Sequence, residues 1–293
     1  MKILITGLNN YLARKVALCF VQSGFDVAGL IRSRRLFRDQ LPGKSIDIIE
    51  GDLFRGENLS AISVETAVAF YFNQRTAPGP DMHIEMELIA LGRYIDALKA
   101  TACKQLIYVT KLVDDNVDRV NDFIRATGMN YTIIRTSNII GDGSVLMNIL
   151  TKMSTQRFIV VSKEFAKSLC QPVYVADICA YFMDMLLDAR TYGQLYDIGG
   201  PEIVTYKELF ERYIEVMNIP KKIRTLPKLG KLASAFMIRY VYRLERDIST
   251  ALNLNVRQHL ICNNSGLQDL YPRKLMSFRE ALPFTLGLAD TGK

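Results

Sequence analysis

A chain of 293 residues, 49% of them apolar and 23% charged, has the material for at least one large core and lacks the composition of a disordered protein. Its net charge of +7 is spread along the chain without a nucleic-acid-binding motif, so the excess points to a phosphate-bearing ligand rather than to RNA or DNA. No apolar run reaches the ~18 residues of a membrane span, and two histidines far apart in sequence, His83 and His259, leave little for a histidine metal site or a Ser-His-Asp relay.

The chain enters a strand at once with "KILIT" (Lys2 to Thr6), without a basic leader or long apolar region, and a cytoplasmic location is expected. "YLARKVALCFVQSG" follows with helical spacing and is ended by Gly24; "DVAGLIR" and "IDIIEGD" are strands. "TAVAFYFN" (Thr66 to Asn73) and "QLIYVT" (Gln105 to Thr110) continue the series around a long helix from about Met82 to Ala100. "VDRVNDFIRATG" is helical to Gly128, and "NYTIIRT" is the next strand. Short apolar strands alternating with helices predict an α/β fold, a Rossmann-type parallel sheet doubly wound by helices. From Gly141 the regularity loosens. "QPVYVADICAYFMDMLLDA" restores a helix, and "QLYDIGGPEIVTYKELFERYIEVM" reads as a strand, a Gly-Gly-Pro turn and a helix capped by Thr205. The expected organisation is a dinucleotide-type domain from 1–140 and 171–199, interleaved with a smaller, mainly helical substrate or partner domain from 141–170 and 200–293.

The five cysteines, Cys19, Cys103, Cys170, Cys179 and Cys262, are scattered and show no CxxC spacing, the pattern of reduced, mostly buried thiols. No metal site is expected from them.

"TGLNNYLARK" (Thr6 to Lys15) stands where a dinucleotide-binding loop belongs, between the first strand and the first helix. In such loops one glycine makes the tight turn, a second lets the backbone approach pyrophosphate, and a third lets the helix pack on the strand. Gly7 keeps the first role, while Asn10 and Ala13 hold the other two positions. Ala13 adds one methyl. Asn10 adds a side chain where phosphate comes nearest, though asparagine enters left-handed backbone geometry more readily than most residues. Weakened binding is expected. Tyr11 and Lys15 also form the only Tyr-x-x-x-Lys of the chain, a spacing that lowers a phenol's pKa for proton transfer. The pair lies on the first helix after the loop, and no proton-transfer role is expected of it there.

The order of "ILITG", "IIEGDL", "LIYVT", "RATGMNYTIIRTSNIIGDGS", "QPVYVADI", "YDIGGPEIVTYKEL" and "LMSFREAL" resembles the atypical, extended-type short-chain dehydrogenase superfamily, within it the NmrA-like NAD(P)H-binding group often labelled nucleoside-diphosphate-sugar epimerases. It is also similar to the dehydrogenase-like accessory subunit of respiratory complex I. The resemblance spans nearly the whole chain. It implies that Gly7 and Asn10 meet the pyrophosphate, Asp52 and Leu53 the adenine, Arg32 the adenosine ribose side, and Thr110 and Lys111 the nicotinamide ribose, with Asn9, Tyr11, Leu12, Arg34 and Asn73 also in the cofactor site. Members that use NAD usually end the second strand on an acid; here Arg32-Ser33-Arg34, with Arg35 and Arg38 behind, suits a 2′-phosphate and favours NADP(H) over NAD(H), with the arginines as a solvated loop the alternative.

The chain departs from the family at the chemistry. Where active members place a tyrosine and a lysine after the fifth strand, counting back from "RATG" reaches Val113 and Val117. No catalytic residue can be assigned. The expected function is a cofactor-binding sensor, regulator or accessory protein with little of the usual dehydrogenase activity. Two alternatives stay open: an NADP-dependent reductase or nucleotide-sugar epimerase using Lys111, Tyr174 or Asn138, with Tyr174 and Asp177 bordering its pocket, and a cofactor-free scaffold. Lastly, "KLGKLASAFMIRYVYRLER" (Lys228 to Arg246) spaces Leu229, Leu232, Phe236 and Tyr240 on one helical face and Lys228, Lys231, Arg239, Arg243 and Arg246 on another. Such a helix packs on a core or docks on an acidic partner or an anionic membrane surface.

Overall fold

The computed structural model describes residues 1–37, 46–73, 81–226 and 261–288. The basic segment Lys228 to Arg246, Arg38 and His259 lie outside these residues. The described strands β1 (Lys2–Thr6), β2 (Asp26–Ile31), β3 (Ile46–Glu50), β4 (Thr66–Phe72), β5 (Gln105–Lys111) and β6 (Tyr131–Thr136) alternate with helices α1 (Tyr11–Gln22), α2 (Asp81–Lys99) and α3 (Val117–Ala126). Beyond them come β7 (Ile139–Ile140), α4 (Val145–Ser154), β8 (Ile159–Ser162), α5 (Lys163–Lys167), β9 (Leu169–Cys170), β10 (Val173–Tyr174), α6 (Val175–Asp184), β11 (Gln194–Ile198), β12 (Val204–Thr205), α7 (Tyr206–Val216) and β13 (Ile223–Leu226).

Among the described residues the main sheet has seven strands in the order β11-β6-β5-β4-β1-β2-β3, and the pairs β2–β3, β1–β2, β1–β4 and β4–β5 are parallel. Strand order reverses beside β1, and in Rossmann-type folds ligands are taken at such a reversal, outside the carboxyl ends of the strands. The strands are apolar on both faces because helices cover both: Ile3, Leu4 and Ile5 of β1 and Phe70 of β4 are fully buried. α1 turns Leu12, Val16 and Phe20 inward at helical spacing. Phe20 meets Phe70 at 5.3 Å and Phe70 meets Phe182 at 5.4 Å, while Tyr71 stacks on Tyr108 at 5.5 Å. Each such buried ring contributes about 1.5–3 kcal/mol of apolar burial.

The chain divides into two compact units, Met1–Arg135 with Cys179–Tyr196, and Thr136–Ile178 with Asp197–Lys293. The first unit recovers its late segment through the buried side chain of Gln105. Gln105 Nε2 donates to the Met185 carbonyl and to Thr191 Oγ1, and its Oε1 accepts from the Leu187 N–H at 2.6 Å. The second unit has its own core, in which Phe165, Tyr206, Phe210 and Tyr213 pack with Leu146, Leu150 and Leu282. The stretch after Gly141, irregular in sequence, forms α4, β8, α5 and β9; β8 pairs with β13 and β9 with β12 in two-stranded pieces too short for a periodicity to show.

Candidate functional site

Gly7 ends β1 at φ +70°, a left-handed turn that a side chain would strain, and its carbonyl accepts the Asn10 N–H at 2.7 Å. Asn10 does not share that geometry: at φ −77°, ψ 137° it is an extended N-cap. Its Oδ1 accepts the Leu12 N–H at 2.8 Å. The asparagine side chain thus occupies a backbone donor at the start of α1, where a free N–H is the kind of group that binds an anion. Leu12 is buried, while Asn9 is exposed. No acidic residue stands in the first turn of α1, which leaves its positive end uncompensated.

Arg14, one turn into α1, was not singled out by the sequence. Its Nη1 donates to the carbonyls of Asn9 at 2.8 Å and Leu8 at 3.2 Å, which fastens the loop and brings a cation beside it. The signal lies in a side chain reaching back across a turn. Tyr11 and Lys15 also meet, but the Lys15 ammonium lies over the ring face, 5.6 Å from its centre, a cation–π contact rather than a lysine poised on a phenol oxygen.

On the side where β2 and β3 end, Arg32 is exposed and its Nε lies 3.1 Å from Asp52 Oδ2. The other carboxylate oxygen accepts the Phe54 and Arg55 N–H groups, at 2.8 and 3.1 Å. Asp52 thus organises the turn "DLFRGE", a task its sequence motif does not announce. Leu53 is half-buried and packs against the core beneath it. Arg34 is set apart from Asp52: its Nη2 donates to the Ile48 carbonyl of β3 at 2.8 Å.

Asn73 and Thr110, at the ends of β4 and β5, come together around a residue the sequence reading passed over. Asn73 Nδ2 donates to Tyr108 Oη at 2.9 Å, Thr110 Oγ1 at 3.3 Å and Asp114 Oδ2 at 3.2 Å, and Thr110 Oγ1 donates to that same Asp114 oxygen at 2.6 Å. Tyr108 packs in the sheet as its apolar neighbours imply, yet its hydroxyl also faces Glu87 Oε1 at 3.5 Å. Burial, then Glu87 and Asp114, hold that phenol well above its ordinary pKa. Lys111 is half-buried, and burial lowers its pKa, with no ion-pair partner among the described residues. α3 starts at Val117 and carries neither tyrosine nor lysine, while Val113 lies in the preceding turn rather than on the helix.

In the second unit Asn138 Nδ2 donates to Tyr206 Oη at 2.6 Å, and Asp177 accepts the Met276 N–H at 3.0 Å with its pKa raised by burial. Tyr174 lies in β10, which pairs with β7. The motifs around them are joined by packing. A Cβ on Gly200 would stand 1.9 Å from the Pro172 carbonyl oxygen, Gln171 Nε2 donates to the Gly200 carbonyl at 2.7 Å, and Gln171 Oε1 accepts the Cys262 N–H at 2.9 Å. Among the described residues no cluster of three or more His, Cys, Asp or Glu side chains is placed to hold a metal ion, and no helix is long and apolar enough to cross a membrane.

No protein-family model and no curated protein matches the chain. Solved structures do. A nucleoside-diphosphate-sugar epimerase from Staphylococcus aureus is similar at TM-score 0.70 and 15% identity, over 96% of this chain and 99% of that one. The dTDP-glucose 4,6-dehydratase of Bacillus anthracis, solved in complex with NAD, is similar at 0.71 and 14%, over 98% and 96%. The triphenylmethane reductase of a Citrobacter species, solved with NADP(H), is similar at 0.70 and 14%, over 97% and 100%. At these identities the likeness shows the shared Rossmann-type α/β fold.

Proposed function

We propose that the chain binds a nicotinamide dinucleotide, NADP(H) before NAD(H), and acts as a dehydrogenase-like sensor, regulator or accessory protein with little of the usual hydride-transfer activity. The observation that carries this reading is the Gly7 turn feeding the uncompensated positive end of α1 beside the strand-order reversal, with Arg14 tied to the loop. Those residues fit a pyrophosphate, provided the Asn10 side chain turns away from the Leu12 N–H. On the adenosine side Arg32 spends its Nε on Asp52, and its Nη groups suit a 2′-phosphate. A bound dinucleotide would supply hydride chemistry; Asn73, Thr110 and Lys111 would orient its nicotinamide end.

Low turnover follows from the proton inventory. α3 carries no Tyr–Lys pair, and the one phenol among the strand-end polar groups, Tyr108, is buried with its pKa raised. Lys111 favours the second reading, a reductase whose proton donor is an amine with lowered pKa. The unit Thr136–Ile178 with Asp197–Lys293 is proposed to carry the substrate or protein-partner surface.

Calorimetry on ligand-stripped protein tests the reading. NADPH is expected to bind more tightly than NADH, and Arg32→Ala to weaken NADPH roughly tenfold while sparing NADH. Equal affinities, or equal losses in the variant, reject the NADP preference; no binding of either rejects the function. Robust turnover in a carbonyl and nucleotide-sugar screen, lost in Lys111→Met, would favour the reductase.

A further inference from the structure

The small sheet β8–β13 of the second unit has two unlike faces. Its strands run parallel, with Ile159 opposite Ile223, Val160 opposite Arg224 and Ser162 opposite Leu226. Side chains alternate across a strand, and the inward set, Ile159, Val161 and Ile223, packs into the core of the unit. The outward set begins with Phe158 and Lys222, the residues just before the first pair, and continues with half-buried Val160 and exposed Arg224 and Leu226. Phe158 is 61% exposed and Leu226 42%, so this face keeps in water the kind of side chain that folding usually hides.

Cations accompany these apolar groups. The Arg157 guanidinium lies over the Phe158 ring, 5.3 Å from its centre, and Lys222 and Arg224 are exposed on the neighbouring strand. Lys221 is spent elsewhere: its ammonium donates to the Ser154 and Gln156 carbonyls at 2.6 and 2.9 Å, which ties the start of β13 to the end of α4. α5, directly after β8, adds exposed Lys163 and Lys167 against one acid, Glu164. Among the described residues no carboxylate pairs with Arg157, Lys222, Arg224, Lys163 or Lys167.

A single apolar side chain in water needs no explanation, whereas apolar tips set among unpaired cations mark an interaction surface. We propose that this face docks on an anionic phospholipid bilayer, with Phe158 and Leu226 entering the boundary between headgroups and acyl chains, and Arg157, Lys222 and Arg224 meeting the lipid anions. Charge complementarity commits the face to an anionic surface. The projection of its apolar groups commits it to a fluid one: a protein partner would have to offer each tip a fitted, dry pocket, while a bilayer yields to any shape. Flexible stems let the guanidinium and ammonium groups stay at headgroup level while the tips beside them go deeper. Such peripheral contact needs no spanning helix, and it does not depend on whether the first unit binds a dinucleotide.

The chain has no tryptophan, so Phe158→Trp places a single fluorescent reporter on the face. With phosphatidylserine–phosphatidylcholine vesicles at low salt its emission is expected to shift to the blue as the ring leaves water, and to stay unshifted on pure phosphatidylcholine, in high salt, or with soluble glycerophosphoserine. The full wild-type chain should cosediment with the same anionic vesicles, and Lys222→Gln/Arg224→Gln should weaken that binding roughly twenty-fivefold, about fivefold per cation, with Tm unchanged. The reporter decides by itself if the double variant alters the fold. An unshifted tryptophan on anionic vesicles, equal binding to neutral ones, or full binding in a folded double variant overturns the proposal; the last would assign docking to another basic segment such as Lys228 to Arg246. A shift produced by polyglutamate or a single-stranded oligonucleotide and not by vesicles also overturns it, giving the face to an acidic polymer.

Discussion

Asn10 does two things that pull in opposite directions. As an N-cap it satisfies the Leu12 N–H and steadies α1; at the phosphate position proposed for it, it would compete with the ligand. Glycine at an N-cap costs only a few tenths of a kcal/mol relative to asparagine, so Asn10→Gly is expected to leave the fold intact and to tighten NADPH binding by releasing that donor. Calorimetry showing no gain would mean that asparagine already accommodates the pyrophosphate or that the loop has abandoned it. Lys111, proposed to meet the nicotinamide end, presents a similar conflict. A desolvated amine costs stability wherever it is charged, and its lowered pKa means that the folded state holds the proton less firmly than the unfolded chain. The penalty is therefore full below the folded pKa and is relieved as pH rises toward the unfolded value. Lys111→Met should stabilise the protein by on the order of 1 kcal/mol at neutral pH, with the gain shrinking at alkaline pH, and should weaken the dinucleotide. Denaturant titrations at two pH values check the first statement; a variant less stable than wild type at neutral pH refutes it.

The long elements were legible in the sequence because their pattern is local. α1 reads from apolar residues at Leu12, Val16 and Phe20, and α7 from the Thr205 cap, whose Oγ1 accepts the Glu208 N–H while Glu208 returns to the Thr205 N–H, a full capping box. What escaped were pairings made by side chains across turns or across the fold: Arg14 reaching back to Asn9, Asp114 drawing in Asn73 and Thr110, and Gln105 binding the segment around Leu187. No periodicity encodes these contacts. The short strands β8 and β9 escaped for a related reason, since four and two residues carry no repeat. At this scale the cap is open to test. Thr205→Ala should cost about 1 kcal/mol. Hydrogen bonds from Thr205 lower the Glu208 pKa, so the carboxylate's contribution is present above its unfolded pKa and fades as pH falls through the folded one. Thermal melts should show the cost of Glu208→Gln near neutrality and little of it in acid; an equal cost at both pH values would assign the effect to packing. Gly200→Ala is a harsher case, because the displaced atom is backbone: a methyl 1.9 Å from the Pro172 carbonyl forces the Gln171–Gly200 junction apart. A loss above about 3 kcal/mol is expected, against less than 1 for an ordinary surface change.

Two compact units, each with its own buried cluster, make the molecule's response to ligand a question of where stability is added. The residues proposed to meet the dinucleotide, from Gly7 through Arg32 and Asp52 to Asn73 and Lys111, all belong to the unit Met1–Arg135 with Cys179–Tyr196. A ligand that binds only the folded state adds about 2.7 kcal/mol at a hundredfold excess over its Kd, and that energy goes first to the unit that holds it. Saturating NADPH is therefore expected to slow amide exchange in β1, the start of α1 and β4, with smaller changes in α4 and α7 of the other unit. NADH at the same concentration should protect the same segments less, in proportion to its weaker binding. The comparison separates three readings that affinity alone would blur. Protection confined to the first unit supports the proposed dinucleotide site. Equal protection by the two nucleotides removes the role given to Arg32 while keeping that site. Protection centred on α4 and α7 would place binding in the second unit and remove the Gly7 loop from the function altogether.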